Sequence, residues 1–95
     1  MLTIWKTVLE IKDEQEIEVP KYTDFLFVLE QYGKLCIWYR CNSNPNMSKE
    51  KRTIAIRGTG HPDVPSLATS HYIGSCIMPN GHFVWHVFEI LNRNP

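Results

Sequence analysis

Apolar and polar positions alternate every second residue along most of this chain, and turn-forming residues divide the alternation into about seven strand-like segments. The first, from Leu2 to Ile11, is largely apolar on both faces, with Leu2, Ile4 and Val8 on one and Trp5, Leu9 and Ile11 on the other. A charged bend, Lys12-Asp13-Glu14-Gln15, leads to a short strand at Glu16 to Val19, which Pro20 stops. The third strand is expected at Phe25 to Leu29. A helix over Tyr22 to Gln31 competes there, with Asp24 as N-cap and Leu26, Leu29 and Glu30 suitably spaced. Two Phe and a Val within five positions favour the strand. Tyr32-Gly33-Lys34 then reads as a hairpin turn into a fourth strand, Leu35 to Cys41.

The stretch Asn42 to Lys51, rich in Asn and without periodicity, reads as a loop. A fifth strand, Arg52 to Arg57, ends abruptly in Gly58-Thr59-Gly60-His61-Pro62, and a second loop follows from Asp63 to Ser70. The last two strands, Tyr72 to Met78 and His82 to Ile90, flank Pro79-Asn80-Gly81, where Asn-Gly suits the positive torsions of a tight hairpin. Residues 91–95 should fray. Composition agrees with this pattern. Nine Ile, six Val and six Thr stand against only two Ala, a balance that suits pleated surfaces rather than helices. The expected fold is all-β: one small domain over residues 1–95, a sandwich or partly open barrel of mostly antiparallel strands.

Charge narrows the partners. Ten Lys and Arg balance ten Asp and Glu, so the chain lacks the basic excess that holds duplex nucleic acid through its phosphates. No apolar run approaches the roughly 20 residues that span a bilayer, and the first residues lack the pattern of a signal peptide. A folded cytoplasmic protein without a membrane partner is expected. The cysteines Cys36, Cys41 and Cys76 are odd in number and lack CxxC spacing, so they read as small hydrophobes in a reducing compartment.

The candidate chemistry gathers at one turn. Gly58 and Gly60 directly follow a strand, where glycine lets amides approach an anion. His61-Pro62 follows instead of a helix, which excludes the Rossmann and P-loop arrangements. His82 and His86 have zinc-like spacing, but on a strand their Cα atoms lie roughly 13 Å apart. No metal, cofactor or catalytic residue is expected. No Ser sits in a nucleophile elbow, and the chain is not read as an enzyme. Binding suits the aromatic content better, because flat rings stack on bases and arginine forks pair with phosphates. The expected ligand contacts are Arg57, Gly58, Thr59, Gly60 and His61, with Arg52 as a second cation and Trp38 or Trp85 as base platform. His86 completes the set, although its strand face, shared with Val84, Phe88 and Ile90, equally suits packing. Alternation puts Arg52 and Arg57 on opposite faces, so only one should reach a ligand, and Arg57 abuts the turn. Eleven aromatics and a doubly apolar first strand also point to a homo-oligomer.

Several strings resemble a family of short bacteriophage and prophage proteins: the opening Ile4-Trp5-Lys6 through Val19-Pro20, Gly33 to Trp38, Lys51 to Pro62 with its Gly-Thr-Gly-His-Pro, Tyr72-Ile73-Gly74, and Phe83 to Glu89 with its Val-Trp-His-Val-Phe-Glu. The chain departs from that family after Trp38, where Tyr39-Arg40-Cys41-Asn42 replaces small apolar residues and an acid. The resemblance implies a phage origin and expression in the cytoplasm of an infected bacterial host. By analogy with other small phage proteins, it implies an anti-defence role of the Sequestin or Lockin kind, an oligomeric sponge for a nucleotide immune signal of the TIR-derived ADP-ribose type or a cyclic nucleotide. The alternatives are a protein–protein inhibitor or phage structural accessory, and then a cyclic-nucleotide phosphoesterase.

Overall fold

Seven strands form in chain order: β1 (Leu2–Val8), β2 (Glu14–Pro20), β3 (Asp24–Gln31), β4 (Lys34–Asn42), β5 (Lys49–Gly58), β6 (Ser70–Ile77) and β7 (Val84–Ile90). The computed structural model describes residues 1–79, 81 and 83–91. All pairings are antiparallel and make two sheets, ordered β1-β4-β3 and β2-β5-β7-β6. The sheets do not close into a barrel; β3 passes close to β6, where a Cβ on Gly74 would sit 3.5 Å from Val28 Cγ2. The Cα trace measures 42 × 37 × 16 Å. No helix among the described residues is long and apolar enough to cross a membrane.

The core lies between the inner faces. Leu35, Ile37, Tyr39 and Cys41 of β4 meet Ile17 and Val19 of β2, Ile54 and Ile56 of β5, and Val87 of β7, all buried. The segment that could have been a helix is strand β3, because pairing with β4 satisfies its backbone and gives its aromatics partners. A bulge between Phe25 and Phe27 breaks simple alternation there. Phe25 therefore turns inward, edge-on to Tyr39 at 5.9 Å, while Phe27 turns outward and stacks on Trp38 at 5.2 Å. A second bulge between Tyr72 and Gly74 does the same in β6.

Several boundaries differ from those expected. β1 ends at Val8 because Leu9 dives into the core, at 4% exposure, and the chain bends over residues 10–13. β2 and β5 are both longer than expected, since each extends the other's ladder from Glu14↔Ala55 to Pro20↔Lys49. The polar loop shrinks accordingly to residues 43–48. Tyr32 and Gly33 form the two-residue turn between β3 and β4, with φ of 53° and 79°. Gly81 has φ of 72° and donates its N–H to Met78 O at 2.8 Å. Asn80, expected beside it, His82, expected to open the last strand, and residues 92–95 lie outside the described residues.

Candidate ligand site

Two glycines build the turn after β5, and each is needed for a different reason. Gly58 pairs with Trp85 across the β5–β7 ladder, and a Cβ there would lie 3.3 Å from Trp85 Cζ3. Its missing side chain makes room for the indole. Gly60 has open space around it but a φ of 84°, a torsion that side-chain-bearing residues resist. The His61 N–H donates to Gly58 O at 3.0 Å, closing a four-residue turn with the positive torsion at its third position, as type II turns require. The Thr59 N–H donates to Val84 O at 3.2 Å, pinning the turn to the entrance of β7.

His86 holds the turn from the outer face. Its Nε2 lies 2.7 Å from Thr59 Oγ1 and its Nδ1 lies 3.0 Å from Tyr72 Oη, so both ring nitrogens are engaged. A neutral imidazole offers one donor and one acceptor, and either tautomer is served by a hydroxyl at each end. His61 is exposed and donates Nδ1–H to the carbonyl of Pro62 at 2.9 Å. That bond fixes the neutral tautomer and leaves Nε2 as an acceptor.

Beside this turn lies a cleft of about 590 Å³, lined by Gly58, Thr59, Gly60, His61, Pro62, Phe83, Val84 and Trp85. Phe83 is 55% exposed and stacks on Trp85, with centroids 5.5 Å apart and planes 14° from parallel. A smaller cleft of about 230 Å³ shares Gly58, His61 and Trp85 and adds Ile11, Lys12, Asp13 and Ile56. Together they offer an aromatic ledge, a glycine turn, an imidazole and an ammonium in a volume that suits a small organic ligand. Among the described residues the Lys12 ammonium has only a loose ion-pair contact, 3.9 Å from Glu10, with half its side chain exposed. The family model described as a domain of unknown function, DUF7352, matches residues 1–95, the whole of the chain that builds this site.

The chain belongs to the DUF7352 family. No curated protein and no solved structure shows a significant match to it. Within this DUF7352 chain, Gly58, Thr59, Gly60, His61 and Trp85 converge on one cleft, and His86 reaches it through Thr59. The other three expected contacts do not. Arg57 is 8% exposed and lines neither cleft. Its Nε donates to Asp63 O at 3.1 Å, and its Nη1 donates to Asp13 O at 2.7 Å and Ile56 O at 3.0 Å. It fastens two loops to β5.

Arg52 lies on the opposite face of β5, as alternation requires. It donates from Nε and Nη2 to the two carboxylate oxygens of Glu89, and from Nη1 to Glu50 and to Thr23 O, each at 3.0 Å. The Glu89 hydrogen bonds raise its pKa against the opposing effect of burial. The adjoining groove, about 490 Å³, is lined by Glu14, Glu16 and Glu89 as well as Lys51 and Arg52, so carboxylates outnumber cations there and disfavour an anion. Trp38 belongs to the other sheet and faces outward, stacked on Phe27 with Lys6 Nζ 6.0 Å from its ring.

Sequence reasoning missed Phe83 and Lys12. Phe83 was recoverable, since it lies two residues from Trp85 and residues so spaced share a strand face. Lys12 carried no such signal, because it comes from a bend 46 residues away in sequence from Gly58. Burial raises the thiols of Cys41 and Cys76, which makes them poor nucleophiles at neutral pH.

Proposed function

We propose that this protein binds a nucleotide-type small molecule in the cleft beside Gly58 to Pro62 and holds it without turnover. The observation that carries the reading is the stacked Phe83–Trp85 pair opening beside the glycine turn. A base laid on Phe83 gains roughly 1–3 kcal/mol from stacking, whatever its identity. Phosphate oxygens then fall to the Gly60 amide and to Lys12, in place of the arginines expected from sequence, while His61 Nε2 can accept from a ligand hydroxyl. Stacking and anion contacts supply binding and need no bond to break. The phage resemblance supports a setting in the cytoplasm of an infected bacterium. There a self-associating protein that retains an ADP-ribose-type or cyclic-nucleotide signal would act as an anti-defence sponge.

The test is a thermal-shift screen of ADP-ribose derivatives and cyclic nucleotides, followed by mass spectrometry of ligand released by heating. A raised melting temperature with intact ligand is expected, and Phe83→Ala should lose about 10- to 100-fold in affinity. Cleaved ligand would point to a phosphoesterase instead. If no nucleotide shifts the melting temperature, the reading falls and the exposed Phe83 is better assigned to a protein partner.

A further inference from the structure

We propose that the free edge of β1 pairs antiparallel with β1 of a second copy, across a two-fold axis at Trp5. Among the described residues β1 hydrogen-bonds to β4 alone, in unbroken register from Leu2↔Asn42 to Val8↔Cys36. The Leu9 N–H donates to Leu35 O and the Ser43 N–H donates to Met1 O, so odd-numbered residues turn their peptide groups toward β4. In an antiparallel ladder the N–H and C=O of one residue point the same way, and the direction alternates along the strand. Leu2, Ile4, Lys6 and Val8 therefore present their backbone donors and acceptors to the open edge.

That edge lacks the devices that usually protect one. It has no proline and no bulge, and its apolar side chains stand in solvent: Leu2 is 68% exposed, Ile4 58%, Trp5 41% and Val8 48%. Its single charge is turned away. Lys6 Nζ crosses the face of Trp38 to donate to Gln31 Oε1 of β3 at 2.5 Å, which leaves only its aliphatic stem near the edge. β2, at the far edge of the other sheet, is guarded by contrast. It carries Glu14, Glu16, Glu18 and Pro20, and pairing two copies about Ile17 would set Glu16 against Glu18.

Complementarity selects the second copy as occupant. With the axis at Trp5, Leu2 opposes Val8 of the second copy, Thr3 opposes Thr7 and Ile4 opposes the stem of Lys6. No like charges meet. The four edge-facing residues of each copy then exchange about eight main-chain hydrogen bonds, and the product is one six-stranded sheet, β3-β4-β1-β1-β4-β3. The two Trp5 residues form a non-hydrogen-bonded pair with Cα atoms about 4.5 Å apart. The pairing is independent of the ligand reading and fails separately from it.

Cysteine cross-linking of the full chain tests both edge and register. Cα atoms about 4.5 Å apart can be bridged by a disulfide. Trp5→Cys should therefore convert to a covalent dimer under mild oxidation. Thr7→Cys should not, because its two copies lie roughly 13 Å apart in this register. The native cysteines are all buried and do not compete. Wild-type protein should show a dimeric or higher mass by light scattering at tens of micromolar. Ile4→Pro, which removes an edge donor and no β1–β4 bond, should be monomeric. A monomeric wild-type mass, a dimeric Ile4→Pro, or cross-linking of Thr7→Cys as fast as Trp5→Cys would each overturn the proposal. The cross-linking pair decides even if the proline variant does not fold.

Discussion

The indole of Trp85 lies against the bare Cα of Gly58, where a Cβ would come within 3.3 Å of Cζ3. Through that contact a glycine at the end of one strand sets the position of an aromatic ledge on the next. Trp85 also packs against the core, so the ring has little freedom to retreat. Gly58→Ala should destabilise by about 1–2 kcal/mol through overpacking, with a shift in Trp fluorescence. Gly60→Ala, with open space but a φ of 84°, should cost a similar amount through strain while leaving the fluorescence unchanged. Urea unfolding with emission spectra separates the two causes.

Arg57 and Lys12 should respond oppositely. Arg57→Ala leaves the carbonyls of Asp13, Asp63 and Ile56 without their charged donor and should lose roughly 2–4 kcal/mol of stability. Lys12→Ala should leave the urea midpoint unchanged and weaken nucleotide binding by about 0.5–1.5 kcal/mol. Calorimetric titration beside urea unfolding reads both. If Arg57→Ala stays as stable as wild type, its fastening role is wrong.

Tyr32 occupies a positive-torsion turn position, φ 53°, while 91% exposed. It bears the steric cost of that torsion and returns almost no packing. Tyr32→Asn should therefore raise stability by about 0.5–1 kcal/mol, visible as a higher melting temperature.

Buried thiols make stability fall in alkali. The pKa of Cys41 is raised above its ordinary 9.0 by burial, and that of Cys76 by burial and then by the Glu30 charge. Below the unfolded value both states hold the proton and the contribution is complete. As pH rises past about 9, the unfolded chain ionises first, so the folded state loses stability until its own pKa is reached. The urea midpoint should fall between pH 8.5 and pH 10.5, and fall less in Cys41→Ala and Cys76→Ala.

Period-two patterning was enough to read the strands of the chain, the turn at Tyr32-Gly33 and the opposite facing of Arg52 and Arg57. These are local properties: side chains alternate along a strand, and only certain residues tolerate positive torsions. The Gly-Thr-Gly turn was equally legible, because its glycines lie two apart at a strand end. The bulge between Phe25 and Phe27 was not legible, and it alone sends one ring to Tyr39 and the other to Trp38.

Only the tertiary structure decided which strands are neighbours, and therefore which side chains share a site. Alternation says that a residue points up or down from its strand, but it carries no record of the strand alongside. The order β2-β5-β7-β6 set Trp85 against Gly58 and carried the bend after β1 to the same end of the sheet, placing Lys12 by the cleft. The same packing committed Arg57 to two loop carbonyls and Arg52 to Glu89, two bonding patterns that depend on chain segments up to 44 residues distant. A cation's availability depends on what else folds beside it, and that is a property of the assembled sheet rather than of any strand in it.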